Sequence, residues 1–222
     1  MTSTRSESPR TTRRSGDAAR SRILAAALDV FSEVAFEGAS TRDIAERAGV
    51  SQPLINYHFG SKEGLWEAAI SSILEELTDM LTNRIHGLRG VDDATVLKLI
   101  IRQFVIFSAA HPELHRIMTQ ECTVGGPRVE WVDNQLVRPL YEMTVGYIER
   151  LVEAGVLPPI PPIHIYYLII GMGPTLFVFA PECIRLSGYD PRSHTAINAH
   201  IDAVLLLLFG KEDGSPRLAE SR

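Results

Sequence analysis

The sequence predicts an all-α protein: an N-terminal three-helix unit with a helix-turn-helix pattern, then a larger helical C-terminal region, about nine helices in all. Three observations predict it. Apolar residues recur at three- and four-residue spacing along most of the chain, and nowhere does the pattern alternate as in a half-buried strand. Gly and Pro fall between these periodic stretches, where they stop and start helices. The charge is also divided. The 222 residues carry a net charge of −5, yet residues 1–22 hold six Arg (5, 10, 13, 14, 20, 22) against Glu7 and Asp17. Residues 71–222 hold 13 basic and 18 acidic groups. A basic end on an acidic body orients approach to a polyanion.

The elements follow in order. Residues 1–17 are Ser, Thr, Arg, Gly and Pro with almost nothing to bury, which predicts a disordered basic arm. They lack the apolar run of a secretory signal. Leu24, Leu28, Phe31 and Ala35 share one face of a helix over 18–36 that Gly38 ends. Ser40, with Asp43 three residues on, starts a short helix that Gly49 stops. Ser51 caps the next, with Pro53 in its first turn, where a missing N–H costs nothing.

Lys62 opens a longer helix carrying Trp66, Ile70, Ile73, Leu77 and Leu81. Another begins near Asp92, with Val96, Ile100, Phe104 and Phe107 along one side, and stops before His111-Pro112. A shorter helix covers Pro112–Cys122, and Gly125-Gly126 break the chain. Val132, Leu136, Leu140, Met143, Tyr147 and Leu151 form a stripe on one helix of about seven turns ending at Gly155. Pro158, Pro159, Pro161 and Pro162 make a stiff connector to two last helices near 163–179 and 193–209. The divisions expected are therefore 1–17 arm, 18–62 helix-turn-helix unit, 63–210 larger domain and 211–222 flexible tail.

Gly155 to Pro181 contains no Asp, Glu, Lys or Arg, but His164, Pro174 and two Gly interrupt it, so a buried helix is expected rather than a membrane span. Cys122 and Cys183 have no CxxC spacing and predict reduced thiols in the cytoplasm.

The chemistry concentrates at 40–62. Ile55 and Phe59, four apart, would seat the second short helix on Ile44 and Phe31. Gln52, Pro53 and Asn56 then face away at the end that enters a major groove. Gln and Asn each bridge adenine N6 and N7, while Pro53 or Leu54 presses on a thymine methyl. Thr41, Arg42, Tyr57, His58 and Lys62 suit phosphates, which fix register rather than sequence. Thr41-Arg42-Asp43-Ile44-Ala45, Ala48-Gly49-Val50-Ser51, Tyr57-His58-Phe59 and Ser61-Lys62-Glu63-Gly64-Leu65 resemble the DNA-binding domain of the tetracycline-repressor (TetR) family of bacterial regulators. Asn56 departs from that family, in which Tyr is common at this place, and implies a changed operator sequence.

The resemblance implies a homodimer on a near-palindromic DNA operator, released when a small molecule binds the larger domain, with rotation of the helix from Lys62 as the relay. An activator or effector-independent DNA binder is the alternative. The family's last two helices pair between subunits, which here implies an interface of Leu168, Gly171, Phe177, Ile197, Ile201, Val204, Leu205 and Leu208, with Gly173 also allowing close approach. Phe104, Phe107, Met118, Cys122, Trp131 and Tyr167 are candidates for a largely apolar effector pocket, although at helical spacing each is more often ordinary core. His111 and His115 lie four apart, but the Pro112 turn falls between them, so no metal and no cofactor are expected. An enzyme is disfavoured: there is no Walker loop or GxSxG, and Gly171-Met172-Gly173 lacks a preceding strand.

Overall fold

The computed structural model describes residues 9–85 and 90–210, and among these there are eleven α-helices and no strand. They are α1 (Pro9–Gly38), α2 (Thr41–Ala48), α3 (Gln52–Phe59), α4 (Lys62–Ile85), α5 (Asp93–Ala110), α6 (Pro112–Val124), α7 (Pro127–Val132), α8 (Arg138–Glu153), α9 (Pro162–Val178), α10 (Ala180–Ser187) and α11 (His194–Phe209). The expected tail 211–222, and residues 1–8 of the expected arm, lie outside the described residues.

The chain divides into two compact units. Among the described residues, the first takes the chain as far as Glu76 together with Arg116–Val132, and the second takes those from Leu77 to His115 and from Asp133 to Gly210. The sequence reading places all of 63–210 in one domain, because helical periodicity carries no information about which helices pack together. α6 and α4 each run through a boundary between units.

In the first unit α2 packs on α1 and α3 on α2. Its interior holds Ile23, Ala27, Phe31, Ile44, Ile55, Leu65, Trp66, Ala69 and Ile70, each fully buried. The Arg47 guanidinium clasps the Glu33 carboxylate with two bonds of 2.7 and 2.8 Å, tying α2 to α1. The second unit is built on α5, α8, α9 and α11, around Leu97, Ile101, Val105, Ile148, Leu151, Ile165, Ile169, Phe177, Ile201 and Val204.

Three departures from the expected elements have local causes. α1 begins at Pro9 rather than 18: Pro is tolerated in a first turn, and Thr, Arg and Ala carry the helix onward. The stripe from Val132 to Leu151 is not one helix. Pro139 has no N–H and its ring crowds the carbonyl four residues earlier, so a π turn at Asp133–Val137 separates α7 from α8. Finally, Pro181 in a first turn and Gly188 at φ 71° delimit α10, which follows α9 after a bend of 65°. With that bend, no single helix among the described residues is long and apolar enough to cross a membrane.

The end of α1 is strained. Ala35 stands at φ 59° and ψ 174°, a conformation costly to any residue with a Cβ, and the helix kinks there three residues before it ends at Gly38. Ala35→Gly is expected to stabilise the protein by about 1 kcal/mol, read as a higher urea midpoint at unchanged slope. An unchanged or lower midpoint would show that position 35 holds no strain.

His115 is a half-buried titratable group of the second unit. The Ser108 hydroxyl donates to Phe104 O at 2.7 Å, so His115 Nε2–H donates to Ser108 Oγ at 2.9 Å. Burial pushes the imidazole down from 6.5 to about 4, with the Glu113 charge partly opposing and His111 reinforcing. As pH falls, the unfolded chain takes up this proton first, so stability drops between 6.5 and about 4. The drop from this group amounts to about 3 kcal/mol. His115→Gln is expected to flatten stability against pH across that window; urea titrations at pH 7 and 4.5 with the same difference as wild type would refute the assignment.

Candidate nucleic-acid interface

The Ser40 hydroxyl accepts the Asp43 N–H at 3.1 Å and starts α2. Gly49 at φ 64° ends it: Gly49 N–H reaches Glu46 O at 3.1 Å and Val50 N–H reaches Ala45 O at 3.0 Å. Ser51 then enters α3 with extended backbone but makes no side-chain cap, contrary to expectation. The cause is its neighbours: Pro53 offers no N–H, and Leu54 N–H is taken by the Ser51 carbonyl at 3.0 Å. After α3 the chain turns tightly into α4. A Cβ on Gly64 would collide with the Phe59 carbonyl, so this turn requires Gly.

α3 thus has one anchored side and one open side. Ile55 is fully buried, whereas Gln52, Pro53 and Asn56 are exposed and Tyr57 is 82% exposed. Leu54, His58 and Phe59 are half-buried. Gln52 Nε2 donates to Thr41 Oγ1 at 3.0 Å, which pre-orients the amide beside the start of α2. Arg42 is exposed, and the rings of Tyr57 and His58 meet edge to face at 5.2 Å.

Lys62 is the exception among the expected phosphate contacts. Its ammonium donates to Phe36 O at 2.8 Å and Ala39 O at 3.0 Å, and lies 4.4 Å from the centre of the Phe36 ring. It closes the carbonyl end of α1, a place that favours a cation. Two arginines not singled out as contacts flank α3 instead. Arg20 lies over the Phe59 ring at 5.6 Å, and Arg22 Nη1 is 3.9 Å from where a Cβ on Gly49 would stand. Their signal in the sequence was the cluster of arginines before residue 23.

The six expected effector residues divide between the units. In the first, Trp131 meets Trp66 at 6.3 Å, Met118 is half-buried, and Cys122 is exposed. In the second, Phe104 packs edge-on to His115 at 5.6 Å and Phe107 lies 4.7 Å from the His111 ring. Tyr167 is 64% exposed, so like Cys122 it does not line an interior space of this chain.

The expected interface residues divide as well. Phe177, Ile201, Val204 and Leu208 are buried in the core of the second unit, with Ile197 and Leu205 packed against it. Gly173 makes room for the Phe104 ring rather than for a second backbone. Leu168 and Gly171 remain exposed, on the same side of α9 as Tyr167, and Leu207 of α11 is 72% exposed. The apolar stripe of α11 was legible, but periodicity does not tell a core face from a pairing face. Among the described residues no group of three or more His, Cys, Asp or Glu is gathered as for a metal ion; His111 Nδ1 lies 3.1 Å from Glu113 Oε1.

Comparison with known proteins bears on this geometry. Residues 23–69 match the family described as bacterial regulatory proteins, tetR family, and residues 72–211 match the C-terminal region described as YcdC-like protein. The chain is similar to the HTH-type transcriptional regulator RutR of Escherichia coli (strain K12), 29% identical over 192 residues covering 86% of this chain and 89% of RutR. A shorter match is to the regulator BetI of Klebsiella pneumoniae (strain 342), 41% identical over 82 residues, 37% of this chain and 42% of BetI. The structure of AibR in complex with isovaleryl coenzyme A and operator DNA shares the fold, with a TM-score of 0.65, 15% identity, and 86% and 98% of the two chains covered. So does the fatty acid degradation regulator FadR from Bacillus halodurans, at 0.61 and 16%, covering 90% and 97%. With the helix-turn-helix of α2 and α3, these matches place the chain in the tetR family of bacterial regulatory proteins: it is a DNA-binding transcriptional regulator and not an enzyme.

Proposed function

We propose that the protein is a repressor that grips a near-palindromic operator as a homodimer and lets go when a small, largely apolar molecule binds its C-terminal part. The observation that carries this reading is the division of α3: Ile55 is fully buried while Gln52, Pro53, Asn56 and Tyr57 stand exposed. Gln52 and Asn56 read base edges, Pro53 and Leu54 meet thymine methyls, and Thr41, Arg42, Tyr57 and His58 hold phosphates. Arg20 and Arg22 join that second group. Acting on genomic DNA places the protein in the cytoplasm.

One α3 spans few base pairs, so a twofold pair of them is needed for a specific site. The pairing face is the exposed side of α9 and α11, with Tyr167, Leu168, Gly171 and Leu207, rather than the buried Phe177, Ile201, Val204 and Leu208. AibR was crystallised with an acyl coenzyme A and operator DNA. An effector with an apolar body is the ligand class this reading favours. Coupling of about 1–3 kcal/mol between the two ligands is enough for release.

The test is binding of the full chain to the DNA upstream of its own gene. It is expected to prefer that duplex over a scrambled one at physiological salt by at least about 10³-fold. Equal affinity for both would refute the repressor reading. Leu207→Glu is expected to yield monomers in sedimentation and to weaken operator binding steeply; a stable dimer would exclude this face. Arg42→Ala is expected to lower the slope of log affinity against log salt by about 0.9. Lys62→Met is expected to leave that slope unchanged while costing about 1–2 kcal/mol of stability. A reduced slope for Lys62→Met would return Lys62 to the phosphate contacts.

A further inference from the structure

Trp66 carries a polar atom without a role in the fold. The residue is fully buried, and among the described residues its Nε1 is the one buried side-chain nitrogen or oxygen with no hydrogen-bond partner. A buried donor loses its water and gains nothing in return, so such atoms are rare and ask for an explanation. The indole is surrounded by aromatic and charged groups of the first unit. Phe36 stands edge-on at 6.5 Å and Trp131 of α7 at 6.3 Å. Trp131 is only half-buried, so this wall has a side that meets solvent.

We propose that the Trp66 indole N–H is the anchoring donor of a small-molecule site in the first unit, for a flat apolar compound presenting a carbonyl or carboxylate oxygen. This rests on the reading of the chain as a ligand-responsive regulator. An indole N–H only donates, so the ligand atom facing it is an acceptor. Aromatic walls favour a flat body, stacked or edge-on. The indole donor serves an anionic and a neutral acceptor alike. Lys62 and Arg128 lie against the Phe36 ring at 4.4 and 3.9 Å, and the one buried carboxylate beside them, Glu121, is held by Arg128 at 3.0 Å. The site would let the ligand satisfy a donor that the free protein leaves open, so binding and order around α7 rise together.

The chain has two tryptophans, Trp66 and Trp131, so its ¹⁵N-indole spectrum holds two side-chain signals, assigned with Trp131→Phe. The probes are benzoate, benzamide and, lacking any acceptor, toluene. The Trp66 N–H signal of the full-length protein is expected to move downfield with benzoate or benzamide and not with toluene. Which of the two moves it tells an anionic from a neutral acceptor. Trp66→Phe is expected to weaken binding of the responding probe about tenfold, leaving toluene binding within about twofold. A Trp66 signal unmoved by saturating benzoate and benzamide, or equal affinity of Trp66→Phe for them, overturns the proposal. If that variant does not fold, the wild-type spectrum decides alone. A moving signal in a protein with no preference for its upstream DNA would refute the repressor and keep the site; an operator-binding protein with an unmoved signal would do the reverse.

Discussion

Four groups from three helices converge on the ring of Phe36. Phe31 stacks on it at 5.8 Å, Trp66 stands edge-on at 6.5 Å, and the charged ends of Lys62 and Arg128 lie 4.4 and 3.9 Å from its centre. The ring is 4% exposed, so both cations are partly stripped of water, where such contacts reach about 2 kcal/mol. Lys62 also ties the backbone of this turn, through Phe36 O and Ala39 O, to the first turn of α4. α2 begins at Thr41, so where Phe36 sits decides where α2, and with it α3, can start. The placement of α3 thus depends on an aromatic ring buried at the end of α1.

The strain at Ala35 belongs to the same arrangement. The kink there turns the chain just before Phe36, and a regular helix would carry position 36 around the axis instead. A non-Gly residue in that conformation costs about 1–3 kcal/mol. Burying a Phe side chain returns about 1.5–3 kcal/mol, before its cations are counted. The burial wins, and the turn holds despite a side chain ill-suited to it. Arg128 adds a further condition, since it brings α7 to the ring while holding Glu121 of α6 and reaching Glu37 of α1 at 3.4 Å. Anything that shifts α7 is therefore felt at the point where the reading head is anchored.

How much of this was legible follows from what periodicity and turn residues encode. Ser40, Gly49 and Pro53 marked the ends of α2 and α3 because capping and turn chemistry are local. Ile55 against Gln52 and Asn56 was equally legible, since the faces of an eight-residue helix follow from spacing. The role of Lys62 was not. Whether an exposed-looking lysine meets a phosphate or two carbonyls depends on residues 23 and 26 positions earlier in the chain. The same holds for Phe177 and Ile201, apolar at helical spacing on helices where one stripe faces the core and another is exposed. The kink at Ala35 escaped because Ala is a strong helix former and nothing nearby announces a positive φ. Trp66 was read as one more core position, and only the surroundings reveal that its N–H is unmatched.

The charge pattern explains how such a protein holds DNA without being trapped on it. Arg47 is paired with Glu33 at the surface and the charge of Lys62 is turned onto carbonyls, so two of the cations near the helix-turn-helix are already engaged within the protein. What remains on this face is Arg42, with Arg20 and Arg22 at the flanks, on a chain of net charge −5. A small number of phosphate contacts keeps the sequence-independent part of the affinity low, because that part scales with the phosphates neutralised. On the proposed reading more of the discrimination then falls to Gln52, Asn56 and their neighbours, each pair contributing about 1–3 kcal/mol. An effector need remove only an amount of that order to empty the operator. In the proposed repressor, modest electrostatics and an α3 positioned through Phe36 are complementary: one keeps the grip weak enough to break, the other gives an effector something small to move.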